Sequence, residues 1–124
     1  MSSQSSSQPN GFIVLPDTDS LDRFLARSNG SPAVIFKHSD SCGISARAHA
    51  QMSRIEQPVG LVIVQTARAL SDEIAARTGV DHETPQVFIF RGSEVVWTAS
   101  HGRISAEAVE AALAGAVARP QGRA

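Results

Sequence analysis

The sequence predicts one α/β domain, a four-stranded mixed sheet with helices on both faces. Three observations carry this reading. Helical and strand-like patterns alternate along the chain, two strand-like runs are apolar throughout, and the last two strand-like runs are joined by a tight turn. Strands separated by helices need crossover connections and pair in parallel, whereas a hairpin pairs antiparallel. A chain of 124 residues buries one core without disulfides or structural metal.

Taken in order, Met1 to Asn10 are mostly Ser and Gln and carry too little apolar surface to pack, so residues 1–10 read as a disordered arm. Leu21, Phe24, Leu25 and Ser28 follow helical spacing, with Asp19 or Ser20 as cap and Asn29-Gly30 as the stop. Ala33-Val34-Ile35-Phe36 is a strand covered on both faces, followed by a polar knot, His38 to Ser41, and then Cys42-Gly43. Ile44, Ala48, Met52 and Ile55 recur at helical spacing, and Leu61 to Val64 form a second buried-type strand.

Ser71 is the expected cap of a short helix carrying Ile74 and Ala75 inward, with Arg77 and Gly79 at its end. Pro85 opens Val87 to Phe90, and Arg91-Gly92-Ser93-Glu94 turns into Val95-Val96-Trp97 as a hairpin. Ser105 caps a last helix with Val109, Ala112, Leu113, Ala116 and Val117 on its inner face. The domain is expected over 11–119, with 120–124 a flexible tail.

Eleven basic and twelve acidic side chains nearly cancel, leaving no basic excess for nucleic acid. The apolar runs are far too short for a membrane span. No secretory signal is read at the start, so a cytoplasmic address is expected, and a lone cysteine agrees with it.

Cys42 is the informative residue, because it follows a buried strand and opens a helix. Unpaired amides and the positive end of the helix dipole favour its thiolate, the attacking species in disulfide chemistry. Gly43 removes bulk beside the sulfur. The bland alternative is a buried core cysteine, against which the polar Ser39-Asp40-Ser41 and Ser45 weigh. In a thioredoxin-like topology Pro85 is the cis-proline facing that sulfur, with the backbone of Thr84 free to pair with an extended substrate; the alternative is an ordinary trans-proline at a strand start.

Lys37, the only lysine, either lowers the thiol's pKa or is a solvated strand end. His38 either stabilises the thiolate, relays a proton, or does neither. His49 lies seven residues past Cys42, roughly 10 Å further along a helix axis, too far to share a metal ion with it. His82 and His101 read as loop or cap residues, and no metal is expected.

Phe36-Lys37-His38-Ser39 followed by Ser41-Cys42-Gly43-Ile44-Ser45 resembles the single-cysteine branch of the bacilliredoxin-like proteins of the bacillithiol system. Glu83-Thr84-Pro85-Gln86-Val87, Glu94-Val95-Val96-Trp97 and Ala99-Ser100-His101 are similar to the same family, so the likeness runs from about Phe12 to the last helix. It implies a thioredoxin-like fold and removal of bacillithiol from mixed disulfides on cytoplasmic proteins. It makes Cys42 the nucleophile, Pro85 the cis-proline, and Thr84 and Ser45 groove residues. It implies no tightly bound cofactor, with bacillithiol or another low-molecular-weight thiol as co-substrate. The family motif is more often Thr-Cys-Pro-Ile-Ser; Ser41 and Gly43 depart from it, and Gly43 loosens the helix start.

Cys42-Gly43-Ile44-Ser45 also resembles the Cys-Gly-Phe-Ser motif of monothiol glutaredoxins, which use glutathione or hold an iron–sulfur cluster. The Gly-Gly loop that follows the hairpin in those proteins is absent here. A non-catalytic thioredoxin-fold binding module is the third reading.

Overall fold

The computed structural model describes residues 11–28, 30–41 and 43–118. The arm expected at 1–10, the tail at 120–124, Asn29 and Cys42 itself lie outside the described residues. In chain order the elements are β1 (Phe12–Val14), α1 (Thr18–Arg27), β2 (Ala33–His38), α2 (Gly43–Met52), β3 (Val59–Ile63), α3 (Arg68–Thr78), β4 (Gln86–Arg91), β5 (Glu94–Ser100), a 3₁₀ turn (His101–Arg103) and α4 (Ala106–Ala118).

The sheet has five strands in the order β1-β3-β2-β4-β5, one more than the four expected. The addition is β1, whose three residues are too few to show an alternation. They become a strand by pairing in parallel with β3, Phe12 opposite Val59 and Val14 opposite Leu61. Pairing with an edge is a tertiary fact that no local pattern announces. The parallel pairing of β2 with β3 and the antiparallel hairpin of β4 with β5 are as expected, whereas β4, although a helix separates it from β3, pairs antiparallel with β2.

Strand side chains alternate between two cores, and that alternation positions the site. Val34, Phe36, Leu61, Val87 and Ile89 pack against Ala48 and Met52 of α2 and Val109 and Leu113 of α4. Ile35, Val62, Phe88 and Phe90 pack against Leu21 and Leu25 of α1 and Leu70 and Ile74 of α3. All six residues of β2 are buried, which explains why its apolar run shows no period.

Several local expectations shift. The α1 cap is Asp17, whose side chain accepts the Ser20 amide while Ser20 Oγ accepts the Asp17 amide, a capping box one turn before the apolar stripe. Helix α3 starts at Arg68 without a side-chain cap, and Ser71 lies in its first turn, 2 % exposed. Gly79 ends α3 with φ 71° and Gly92 turns the hairpin with φ 61°, as the sequence implies. Ser105 Oγ accepts the Ala108 amide and caps α4. Ile44 and Val117, placed on inner faces by spacing, are exposed instead.

Candidate active site

β2 ends at His38 and α2 begins at Gly43, so Cys42 is the last residue before the helix. It follows the carboxyl end of a central strand, where open α/β sheets gather their ligands. The loop before it is held by two side chains. Ser45, fully buried one turn into α2, accepts the Ser39 amide on Oγ at 3.0 Å. Gln65, just past β3, accepts the Asp40 amide on Oε1 at 3.2 Å, and its Nε2 donates to Ser39 Oγ at 2.9 Å and Ser41 Oγ at 3.1 Å.

His38 closes the network. Its Nδ1 lies 2.8 Å from Ser45 Oγ and its Nε2 3.3 Å from Asp40 Oδ1. Burial pushes the His38 pKa below its ordinary value, and nearby His49 pushes the same way, against the opposing pull of Asp40 and the Ser45 contact. The ring is therefore neutral at pH 7, with its proton on Nε2 toward Asp40 and Nδ1 accepting the Ser45 hydroxyl proton. One lone pair of Ser45 Oγ then takes the Ser39 amide and the other is left for a further donor.

The far wall comes from the segment entering β4. The Thr84-Pro85 bond is cis, Pro85 is buried and Thr84 half-buried. Lys37 pairs with Gln86, the last pair of that ladder, so Pro85 leads into β4 at the carboxyl end of β2. The Pro85 carbonyl accepts the His101 amide at 3.0 Å, tying this segment to the end of β5.

A model of the monothiol bacilliredoxin BrxC family matches residues 13–109 of this chain, taking in β2, the Cys42 loop, α2 and the Thr84-Pro85 segment. The chain belongs to the monothiol bacilliredoxin family. A solved structure with a thioredoxin fold is 34 % identical, with a TM-score of 0.76 over 82 % of this chain and 92 % of that one. Two more distant likenesses carry the fold alone. A single-site mutant thioredoxin from Halobacterium salinarum NRC-1 is 15 % identical, with TM-score 0.67 and 94 % and 99 % of the two chains covered. A thioredoxin from Nicotiana alata is 14 % identical, with TM-score 0.67 and coverage of 90 % and 96 %. The fold is thioredoxin-like and the protein is a thiol oxidoreductase.

Within this bacilliredoxin the structure brings together His38, Ser41, Ser45 and the loop that leads to position 42. Ser41 and Gly43 are both exposed, and a Cβ built on Gly43 would meet nothing within 4 Å. A groove of about 410 Å³ runs beside the start of α2, between Ile44, Arg47 and Gln51 on one side and His101, Gly102 and Ser105 on the other. A second cavity, lined by Pro32 and Pro58, lies at the opposite ends of β2 and β3.

Lys37 is not gathered into this network. Its odd position on β2 turns it to the α1/α3 face, where it is fully buried rather than a solvated strand end. Its Nζ donates to the Ser71 carbonyl at 3.0 Å, lies 3.3 Å from His82 Nδ1 and stands over the Phe88 ring. His82 is thus a partner of Lys37, and His101 Nδ1 lies 3.4 Å from Glu83 Oε1.

Sequence reasoning missed Gln65 and the company His49 keeps. The His49 ring centroid lies 4.8 Å from that of His38 and 4.4 Å from that of Phe12. A polar residue directly after the apolar run of β3 was the available signal for Gln65. Among the described residues no group of three His, Cys, Asp or Glu gathers as a metal site, and no helix is long and apolar enough to cross a membrane.

Proposed function

We propose that this bacilliredoxin strips bacillithiol from mixed disulfides on cytoplasmic proteins by a one-cysteine mechanism. Cys42 as thiolate attacks the bacillithiol sulfur. The Cys42–bacillithiol disulfide forms as the mixed disulfide breaks, and the client sulfur leaves as thiolate and takes a proton from water. A second low-molecular-weight thiol then attacks the bacillithiol sulfur of the adduct, because the chain has no other cysteine to resolve it. A disulfide of the two small thiols forms as the Cys42–bacillithiol bond breaks, and Cys42 leaves as thiolate.

The observation that carries the reading is where the single cysteine falls. In the chain it directly precedes α2 and follows a loop pinned by Ser45 and Gln65, and the cis Thr84-Pro85 leads into β4 at the carboxyl end of β2. Thr84 offers its backbone to an extended client, and the groove past Ile44 has room for the small thiol.

Intact-mass measurement after incubation with a bacillithiolated protein tests this. The expected product is one bacillithiol adduct on Cys42 with release of the free client thiol, and none with Cys42→Ser. An unchanged mass beside an intact client disulfide overturns the proposal, as does an adduct that forms equally from any oxidised small thiol.

A further inference from the structure

A buried ammonium stands on the α1/α3 face of the sheet, the face opposite α2. Lys37 is 0 % exposed; its ammonium donates to the Ser71 carbonyl, lies 3.3 Å from His82 Nδ1 and stands 5.6 Å from the centroid of the Phe88 ring. Burial lowers its pKa to about 8, which still leaves it charged at neutral pH. Burying a charge here is costly unless it does something an apolar side chain could not. What it holds is His82, which sits on the segment leading to Thr84 and Pro85.

We propose that Lys37, acting through His82, is a positioning residue for the Thr84-Pro85 wall of the thiol site, and that a proton on His82 releases this latch. The inference rests on that wall serving the proposed exchange reaction.

The geometry gives the latch its chemistry. His82 Nδ1 lies 3.3 Å from Lys37 Nζ, which can only donate, so this nitrogen accepts and the ring proton sits on Nε2; Ser71 Oγ stands 3.1 Å from the same nitrogen. A proton gained at Nδ1 puts two cations within contact distance, and His82, which is solvent-exposed, is free to swing away. The charged groups around His82 are Lys37 on β2, Arg68 and Asp72 on α3, and Glu83 beside it in sequence. Burial and then Lys37 hold its pKa below the ordinary value, and Asp72 and Glu83 oppose them. The remaining ties of the segment run through Gln86, whose Nε2 donates to the Asp81 carbonyl and whose Oε1 accepts the Glu83 amide, and these do not titrate.

Residue-resolved amide hydrogen exchange on the full chain, corrected for the intrinsic pH dependence, tests the latch without any thiol chemistry. Between about pH 7 and pH 5.5, where Lys37 stays charged, the Glu83 amide is expected to lose protection about tenfold while β2 and β3 amides hold. His82→Gln keeps an acceptor that cannot charge, so its protection is expected to stay flat over that range. Lys37→Met, if folded, is expected to show the loose state at every pH, with the His82 ring no longer held to one tautomer by ¹⁵N shifts.

Flat wild-type protection, or His82→Gln titrating like wild type, overturns the proposal. Transfer from a bacillithiolated client is measured beside it on wild type and His82→Gln. A fall in the wild-type rate beyond that of His82→Gln at low pH is expected. Equal rate profiles with a titrating amide overturn the link to the wall. No transfer at any pH with a titrating amide fails the exchange reading instead.

Discussion

His38 Nδ1 and Ser45 Oγ meet at 2.8 Å across the gap between the end of β2 and the first turn of α2. That contact joins the strand that ends four residues before the cysteine to the helix that begins one residue after it. The hydroxyl gives its proton to the ring and receives the Ser39 amide, so one buried oxygen fixes both the imidazole and the loop backbone.

Ser45→Ala removes that oxygen and leaves a buried ring nitrogen and a buried amide without partners. The expected loss is about 1–3 kcal/mol, the usual cost of an unsatisfied buried polar group. Urea unfolding of the reduced protein measures it; a loss below about 0.5 kcal/mol contradicts the network.

His38 makes stability depend on pH. Its pKa is depressed in the folded chain, so the unfolded chain takes up the proton first as pH falls. Its contribution is complete above the unfolded value of about 6.5 and is lost as pH drops through the folded value. The difference in unfolding free energy between wild type and His38→Gln is expected to shrink from pH 7.5 toward pH 5. Because His82 is depressed in the same direction, the difference between the two proteins is the informative quantity, not the wild-type slope alone.

Gln65 separates stability from chemistry. The side chain is exposed at the surface, so Gln65→Ala is expected to cost less than about 1 kcal/mol. The same change frees the Asp40 amide and the Ser39 and Ser41 hydroxyls, loosening the backbone just before Cys42. The rate of disulfide transfer is expected to fall about three- to tenfold. A rate equal to wild type would show that the loop keeps its form without the clamp.

Gly60 tests the packing between β3 and α1. A Cβ there would lie 2.7 Å from Leu15 Cδ1, 2.9 Å from Ile35 Cδ1 and 3.2 Å from Phe24 Cε2. Each atom is the end of a side chain, yet all three must move together in a filled core. Gly60→Ala is therefore expected to destabilise by about 1–2 kcal/mol with the transfer rate unchanged. A rise in the thermal midpoint would mean that the space is looser than these distances say.

Much of this was legible in the residues. The doubly covered β2 and β3, the hairpin at Gly92 and the left-handed stop at Gly79 follow from apolar runs and turn chemistry, which are local. So is the order of elements that sets one cysteine at the foot of a helix. β1 was not legible, because three residues have no period and become a strand only against β3. Gln65 was not, because its role depends on two strand ends lying side by side.

Lys37 shows the division most sharply. The sequence by itself determined that one lysine stands near the end of a buried strand, five residues before the only cysteine. Only the tertiary structure decided which way it points, away from α2 and into the α1/α3 core toward Ser71 and His82. A strand buried on both faces carries no polar side by which its alternation can be read, so the face of each residue is set by the helices that come to cover it.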